Sequence, residues 1–238
     1  MEFLVLGCSG PYPGPMGACS GYILKAGGKT LLLDCGSGIL PRLQEKGLTG
    51  ALDAMILTHL HSDHMSDALT LRYARQFQAG GKLRVLLPDE PAAESFLLFQ
   101  SDIYACEAIE QGKKYTVGNA SISFMKTMHP VKCFAVRIEC EGKTLVYTGD
   151  TAYLPGMGQF AGGADLFVCD SAFSEAQRRP DSPHATAIEA ARMASEARAR
   201  RLMLTHYAPG ADIQTLLAEA KSVFANTVAA CENMMIQV

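Results

Sequence analysis

The chain has no Cys-x-x-Cys pair, no apolar run long enough to span a membrane and no run of lysines and arginines. Each absence closes off a class of protein. Without a Cys-x-x-Cys pair, the eight cysteines (Cys8, Cys19, Cys35, Cys106, Cys133, Cys140, Cys169 and Cys231) do not read as a zinc knuckle or a thioredoxin-like couple. Most lie in or beside apolar strands, as small core residues do in a reducing compartment. Without a long apolar run, no membrane-spanning helix is predicted. The opening "MEFLVLGCSG" has no basic leader and meets polar breakers within a few residues, so it reads as a first strand rather than a signal peptide. A cytoplasmic location is expected. With a net charge of −3, the chain also lacks the electrostatic footprint of a protein that grips nucleic acid. The nearest approach to a basic cluster is Arg178-Arg179, then Arg198, Arg200 and Arg201 on an expected helix end.

What is present suffices for a sizeable core: 238 residues, 48% of them hydrophobic. One domain over 1–238 is expected, built of similar halves of roughly 1–115 and 116–238. Strand-like runs come first, at Phe3–Leu6, Ser20–Leu24 and Thr30–Leu33, with Gly27-Gly28 turning a hairpin between the last two. A short helix over Leu40–Lys46 stops at Gly47, and "LDAMILTH" is a buried strand ending at His59. A helix over Met65–Gln78, with Leu69, Tyr73 and Phe77 on one face, stops at Gly80-Gly81. The strand "KLRVLLP" follows, then a helix from Pro91 to about Gln100. From Tyr115 strands return: "YTVGNASISFMKT", "CFAVRIEC", "KTLVYTGD" and "ADLFVCDSAF". "SPHATAIEAARMASEA" reads as a helix with Ser182 as N-cap and Pro183 at the first helical position. The strand "RLMLTH", the helix "ADIQTLLAEAKSVF" and the strand "NMMIQV" close the chain.

Two segments echo each other. "GKTLLLDCG" at 28–36 returns as "GKTLVYTGD" at 142–150, and "MILTH" at 55–59 returns as "LMLTH" at 202–206. Two sheets related by a pseudo-twofold would bring these strand ends to one common edge, where α/β proteins collect their chemistry.

That edge carries donors. "THLHSDH" at 58–64 holds three of the six histidines. His59 and His61, two apart on extended chain, point the same way, and Asp63 and His64 follow on the turn into a helix. Imidazole and carboxylate suit zinc, manganese or iron. The other three histidines, His129, His184 and His206, fall at strand ends or at the expected helix start, and Asp150 ends "TLVYTGD". His59, His61 and His129 can hold one divalent ion, Asp63, His64 and His206 a second, and Asp150 can bridge them, in the arrangement of two-metal hydrolases.

With these motifs the chain resembles the metallo-β-lactamase fold superfamily, and within it the ribonuclease Z-like branch. "GCSGPYPGP", "LLLDCGSG", "YTGDT", "HATAIEAARMA", "LTHYAP" and the closing "ENMMIQV" carry the closer likeness. The resemblance implies an αββα sandwich of the α/β class, the same ligand sets, and two divalent ions, zinc foremost with manganese or iron as alternatives. It also implies a metal-dependent hydrolase, most simply a phosphodiesterase using a metal-bridging hydroxide.

Charge supports an anionic substrate. Two Zn²⁺, two carboxylates and one hydroxide sum to +1. His184 at a helix start could bind phosphate oxygen or protonate the leaving group, and Asp63 could steer the attacking water as well as bind metal. Asp34 reads either as orienting a ligand histidine or loop N–H, or as a turn residue. Thr58 and Thr205 fix strand ends, Asp170, Ser171 and Tyr207 are candidate rim residues, and Gly7, Gly36 and Gly149 allow close backbone approach. Transfer-RNA-processing members of the branch carry a long basic arm. Here the stretch 89–114 is short and acidic and reads as a helical lid, with Phe96, Leu97, Phe99 and Tyr104 as an apolar wall or as core. The expected partner is therefore a small-molecule or nucleotide phosphodiester, not long RNA and not a membrane, and the branch favours a homodimer. The competing readings are a thioester or lactone hydrolase on the same metals and a non-catalytic metal-binding protein.

Overall fold

The computed structural model of the protein describes residues 1–78 and 81–238. Two seven-stranded sheets lie face to face with helices on both outer sides, a four-layer αββα sandwich. The first sheet runs β14 (Met235–Gln237), β1 (Glu2–Gly7), β2 (Gly21–Ala26), β3 (Lys29–Leu33), β4 (Ala54–Ile56), β5 (Leu83–Leu87), β6 (Tyr104–Ala108). The second runs β7 (Tyr115–Val117), β8 (Ala120–Lys126), β9 (Phe134–Cys140), β10 (Lys143–Tyr147), β11 (Leu166–Asp170), β12 (Leu202–Thr205), β13 (Thr227–Ala229). Helices α1 (Ile39–Glu45), α2 (Ser62–Gln76) and α3 (Ala92–Phe99) cover the first sheet. Helices α4 (Met157–Phe160), α5 (Ala187–Glu196) and α6 (Ile213–Val223) cover the second. Among the described residues no helix is long and apolar enough to cross a membrane.

The apolar runs follow from this layering. A strand covered on both faces reads as continuously hydrophobic, and its side chains still alternate between the faces. Phe3, Val5, Tyr22, Leu31 and Leu33 face the core between the sheets, whereas Leu4, Leu6, Ile23, Leu32 and Met55 face the core under α1–α3. Each such buried side chain contributes about 1.5–3 kcal/mol of transfer free energy.

The pairing senses repeat from sheet to sheet: three antiparallel neighbours, then three parallel ones. The first echo is a true structural repeat. β3 and β10 each leave a two-residue hairpin, and each begins with a lysine and threonine held by an aspartate from the next strand's entry. Asp53 accepts from the Thr30 N–H (2.8 Å) and the Lys29 ammonium (2.9 Å), and Asp165 from the Thr144 N–H (2.9 Å) and Lys143 (3.2 Å). The second echo is not a repeat in this sense. Counted from the hairpins, β4 corresponds to β11, not to β12, so "MILTH" and "LMLTH" occupy different places in their sheets while ending at the same edge.

Other expectations are revised. The alanine-rich helix begins at Ala187, not Pro183. Thr186 accepts the Glu189 N–H (3.2 Å) and the Glu189 carboxylate accepts the Thr186 N–H (3.0 Å), a complete capping box. The Ser182 hydroxyl is engaged with the His184 backbone instead (3.2 and 2.9 Å). The 89–114 stretch is not a helical lid. After α3 it forms β6, the first sheet's edge strand, pinned by buried Tyr104, whose hydroxyl donates to the Ala68 carbonyl (2.6 Å). Phe96, Leu97 and Phe99 are exposed rather than core. On α2 the buried apolar side chains are Met65, Ala68 and Leu71, and Tyr73 and Phe77 face outward. Gly80, half of the expected helix stop, lies outside the described residues.

Candidate metal centre

His59 and His61 ride on extended chain leaving β4, and His61 is the N-cap of α2. The first turn of α2 then presents Asp63 and His64, with the carboxylate of Asp63 at the end favoured by the helix dipole. Gly36 lets this turn sit against the β3 exit, since a Cβ there would lie 1.9 Å from the Asp63 carbonyl oxygen. From the second sheet come His129 after β8, Asp150 after β10 and His206 after β12. His206 takes a left-handed φ of 63°, and its N–H donates to the Cys8 carbonyl (2.9 Å). Gly10 of "GCSGPYPGP" lies against the His206 ring, where a Cβ would stand 2.1 Å from Nε2. The N-terminal motif is thus a backbone cradle for this histidine.

These side chains converge. His61 Nδ1 is 3.1 Å from both His59 Nε2 and His129 Nε2, and Asp150 Oδ2 lies 3.5 Å from His59 Nε2 and 3.8 Å from His129 Nε2. On the other side, His206 Nε2 is 3.1 Å from Asp63 Oδ2 and 3.4 Å from Asp150 Oδ1, and His64 Nε2 is 3.1 Å from Asp150 Oδ1. The result is two candidate metal-binding clusters that share Asp150, overlapped by a third grouping of donors, Asp150, Asp170, His184 and His206. Donors held at about 2.0–2.1 Å around one tetrahedral zinc stand about 3.4 Å apart, so the spacings suit an ion in each cluster.

Two further observations test the fit. His64 Nε2 and Asp150 Oδ1 are buried and face each other without making a hydrogen bond. Buried polar atoms are seldom left so, and a cation between them would satisfy both. The ring nitrogens also have assigned duties. His59 Nδ1 donates to the Thr58 hydroxyl (3.1 Å) and His129 Nδ1 to the Pro183 carbonyl (3.4 Å), and His64 Nδ1 donates to Asp34 (2.7 Å). Each ring then turns the lone pair of Nε2 inward.

Ionisation agrees. Burial holds His59, His61 and His129 below the usual histidine range, so they are neutral donors. Burial opposes charge on His64, but Asp150 and Asp34 outweigh it and raise its pKa well above normal. Burial would raise Asp150, yet His206, His64 and His59 keep it well below the usual carboxylate range. Asp63 is lowered in the same way, its desolvation outweighed by His206 and His64.

Asp34 is a hub, not a turn residue of convenience. It is fully buried and accepts the Thr58 N–H (2.7 Å), the Thr58 hydroxyl (3.0 Å), His64 Nδ1 (2.7 Å) and the Tyr147 hydroxyl (2.8 Å). One carboxylate therefore orients a histidine in each cluster and ties the two sheets together. Tyr147 was not singled out from sequence. Its signal is the echo itself, which sets a tyrosine where the first copy has Leu33. Thr205 accepts or donates with the buried Tyr22 hydroxyl (2.6 Å), a second tie between the sheets.

His184 stands in a bend before α5, not at its N-terminus, so the helix-terminus anion argument does not hold. It does reach the centre. Its Nδ1 donates to Asp170 Oδ2 (2.8 Å) and lies 3.9 Å from Asp150 Oδ2, and its ring stacks on His206 at 4.9 Å. Asp170 also accepts the Thr151 N–H (3.0 Å). Burial disfavours charge on His184, but Asp170 prevails and lifts its pKa to about 9. Ser171 donates to the Thr205 carbonyl (3.0 Å) and Tyr207 to the Ala230 carbonyl, both as buried structural links rather than rim groups.

Residues 29–207 match the family model described as a beta-lactamase superfamily domain. The chain is 36% identical to the probable metallo-hydrolase YhfI of Bacillus subtilis (strain 168), covering 94% of each sequence. The crystal structure of YhfI superposes with a TM-score of 0.94 over 99% of both chains. A ribonuclease Z of Mycobacterium bovis (strain BCG / Pasteur 1173P2) is 31% identical over 88% of this chain and 86% of its own. The human short-form tRNase Z shares the fold, with a TM-score of 0.81 at 20% identity over 100% of this chain and 99% of its own. The chain belongs to the metallo-β-lactamase superfamily and is closely related to its ribonuclease Z and YhfI branch of metallo-hydrolases.

Proposed function

We propose that this metal-dependent hydrolase is a phosphodiesterase acting on a small or nucleotide-like phosphodiester. In this reading His59, His61 and His129 would hold one divalent ion, Asp63, His64 and His206 would hold the other, and Asp150 would be shared between them. Ions bound there, zinc foremost, would supply Lewis acidity and a nucleophilic water at neutral pH. Asp63, kept ionised by His206 and His64 against its burial, would orient that water and take its proton. The observation that carries the phosphodiester reading is His184. The two ions are already supplied with seven donors, so an eighth would be superfluous for holding them, yet this imidazole is aimed beside Asp150 by a carboxylate on Nδ1. Its Nε2 is then free to bind a phosphate oxygen or to give the leaving alkoxide its proton. The 31% identity to a ribonuclease Z supports the same chemistry, and the net charge of −3 favours a small substrate over long RNA.

The test is a substrate panel on metal-loaded protein: bis(p-nitrophenyl) phosphate, cyclic nucleotides, thioesters and lactones. Diester hydrolysis is expected. His184→Ala lowers its kcat by about 10²–10⁴-fold with metal content unchanged. Thioester or lactone turnover that His184→Ala leaves intact, with no diester hydrolysis, overturns the proposal.

A further inference from the structure

Beside His184 lies a cavity of about 540 Å³, within the range of small-molecule sites. Its walls are uneven in chemistry. Met128 and Tyr153 form one side. Met128 precedes the candidate ligand His129 and is 50% exposed. Both are held in place: the Met128 carbonyl accepts the Ala152 N–H (3.0 Å) and the Tyr153 hydroxyl donates to Glu196 (2.7 Å). Arg178 and Arg179 form the other side. Arg178 is matched by Glu189 (3.1 Å) and Glu175 (3.5 Å). Arg179 has no carboxylate within ion-pair distance among the described residues, so one positive charge on this wall is uncompensated.

We propose that this cavity takes the leaving-group half of the diester, with an aromatic base on Met128 and Tyr153 and a second, terminal phosphate on Arg179. The inference rests on the phosphodiesterase reading and names its substrate as a short oligonucleotide bearing an end phosphate. A guanidinium gives such a phosphate a bidentate, charge-assisted partner. The flat base covers apolar surface on Met128 that is otherwise wet.

The experiment compares kcat/KM for the dinucleotides ApA, pApA and ApAp. At least one terminally phosphorylated form is expected to exceed ApA by about tenfold, the scale of one hydrogen-bonded charge. Arg179→Gln, an exposed substitution, brings that ratio to within about twofold of unity, and Met128→Ala raises KM for all three with kcat retained. If ApA is cleaved but no phosphorylated form is preferred, or if the preference survives Arg179→Gln, the subsite is wrong and the phosphodiesterase reading stands. If no dinucleotide and no other diester is cleaved, both fall.

Discussion

Replacing Asp34 by asparagine keeps the shape and removes the charge that four donors share. His64 then loses the partner that fixes its Nδ1–H, and Thr58 loses the partner through which it orients His59. Zinc affinity is expected to fall by about 10–100-fold, as for other carboxylates behind ligand histidines, measured by chelator competition. Tyr147→Phe isolates one of these bonds at a carboxylate acceptor and costs about 1.5–3 kcal/mol, read from a denaturant midpoint. Unchanged metal affinity in Asp34→Asn would show that the hub is only structural. The donors themselves were legible in the sequence, because few residue types bind metals and "THLHSDH" sets them close together. Their supports were less so. Asp34 and Tyr147 are 113 positions apart and meet only because two sheets stack, which no local pattern records. Gly10 escaped for the same reason, its role being the space it leaves for His206.

At the scale of elements, the repeated lysine-threonine start of β3 and β10 depends on Asp53 and Asp165. Each accepts a backbone N–H that would otherwise lack a partner. Asp165→Ala is expected to cost about 1.5–3 kcal/mol, or several degrees of Tm at about 2–4 °C per kcal/mol for a chain of this size. Asp53→Ala costs less, its carboxylate being more exposed. Burial is the largest single influence on both and opposes ionisation, but their hydrogen bonds and neighbouring cations together prevail and lower the pKa from 3.8. The sign follows: the stabilisation is fully present above about pH 4 and is lost as pH falls through the lowered values. In each variant, acid-induced loss of stability should be shallower than in the parent. Long, doubly covered strands were readable because both faces are apolar. Short edge strands such as β6 and β13 were not, since most of their residues keep some contact with solvent. The start of α5 was misplaced because two capping signals compete. "Thr-Ala-Ile-Glu" at 186–189 satisfies both ends of a capping box, whereas Ser182-Pro183 satisfies neither.

For the whole molecule, the centre lies where the two sheets meet, and the connections of neither sheet hold a complete set of donors. The first sheet's connections give His59, His61, Asp63 and His64, and the second sheet's give His129, Asp150 and His206. Bound ions should therefore cross-link the sheets and stabilise the fold by mass action, by about 2.7 kcal/mol at a free metal concentration 100 times Kd. The measurement that bears most directly on the account is metal content by mass spectrometry on folded, gel-filtered protein, alongside His129→Ala and His206→Ala. The account predicts two transition-metal ions per chain, loss of one in each variant, and restored Tm when the stripped parent is reloaded. Folded protein that takes up no transition metal, with a Tm indifferent to zinc, would contradict it.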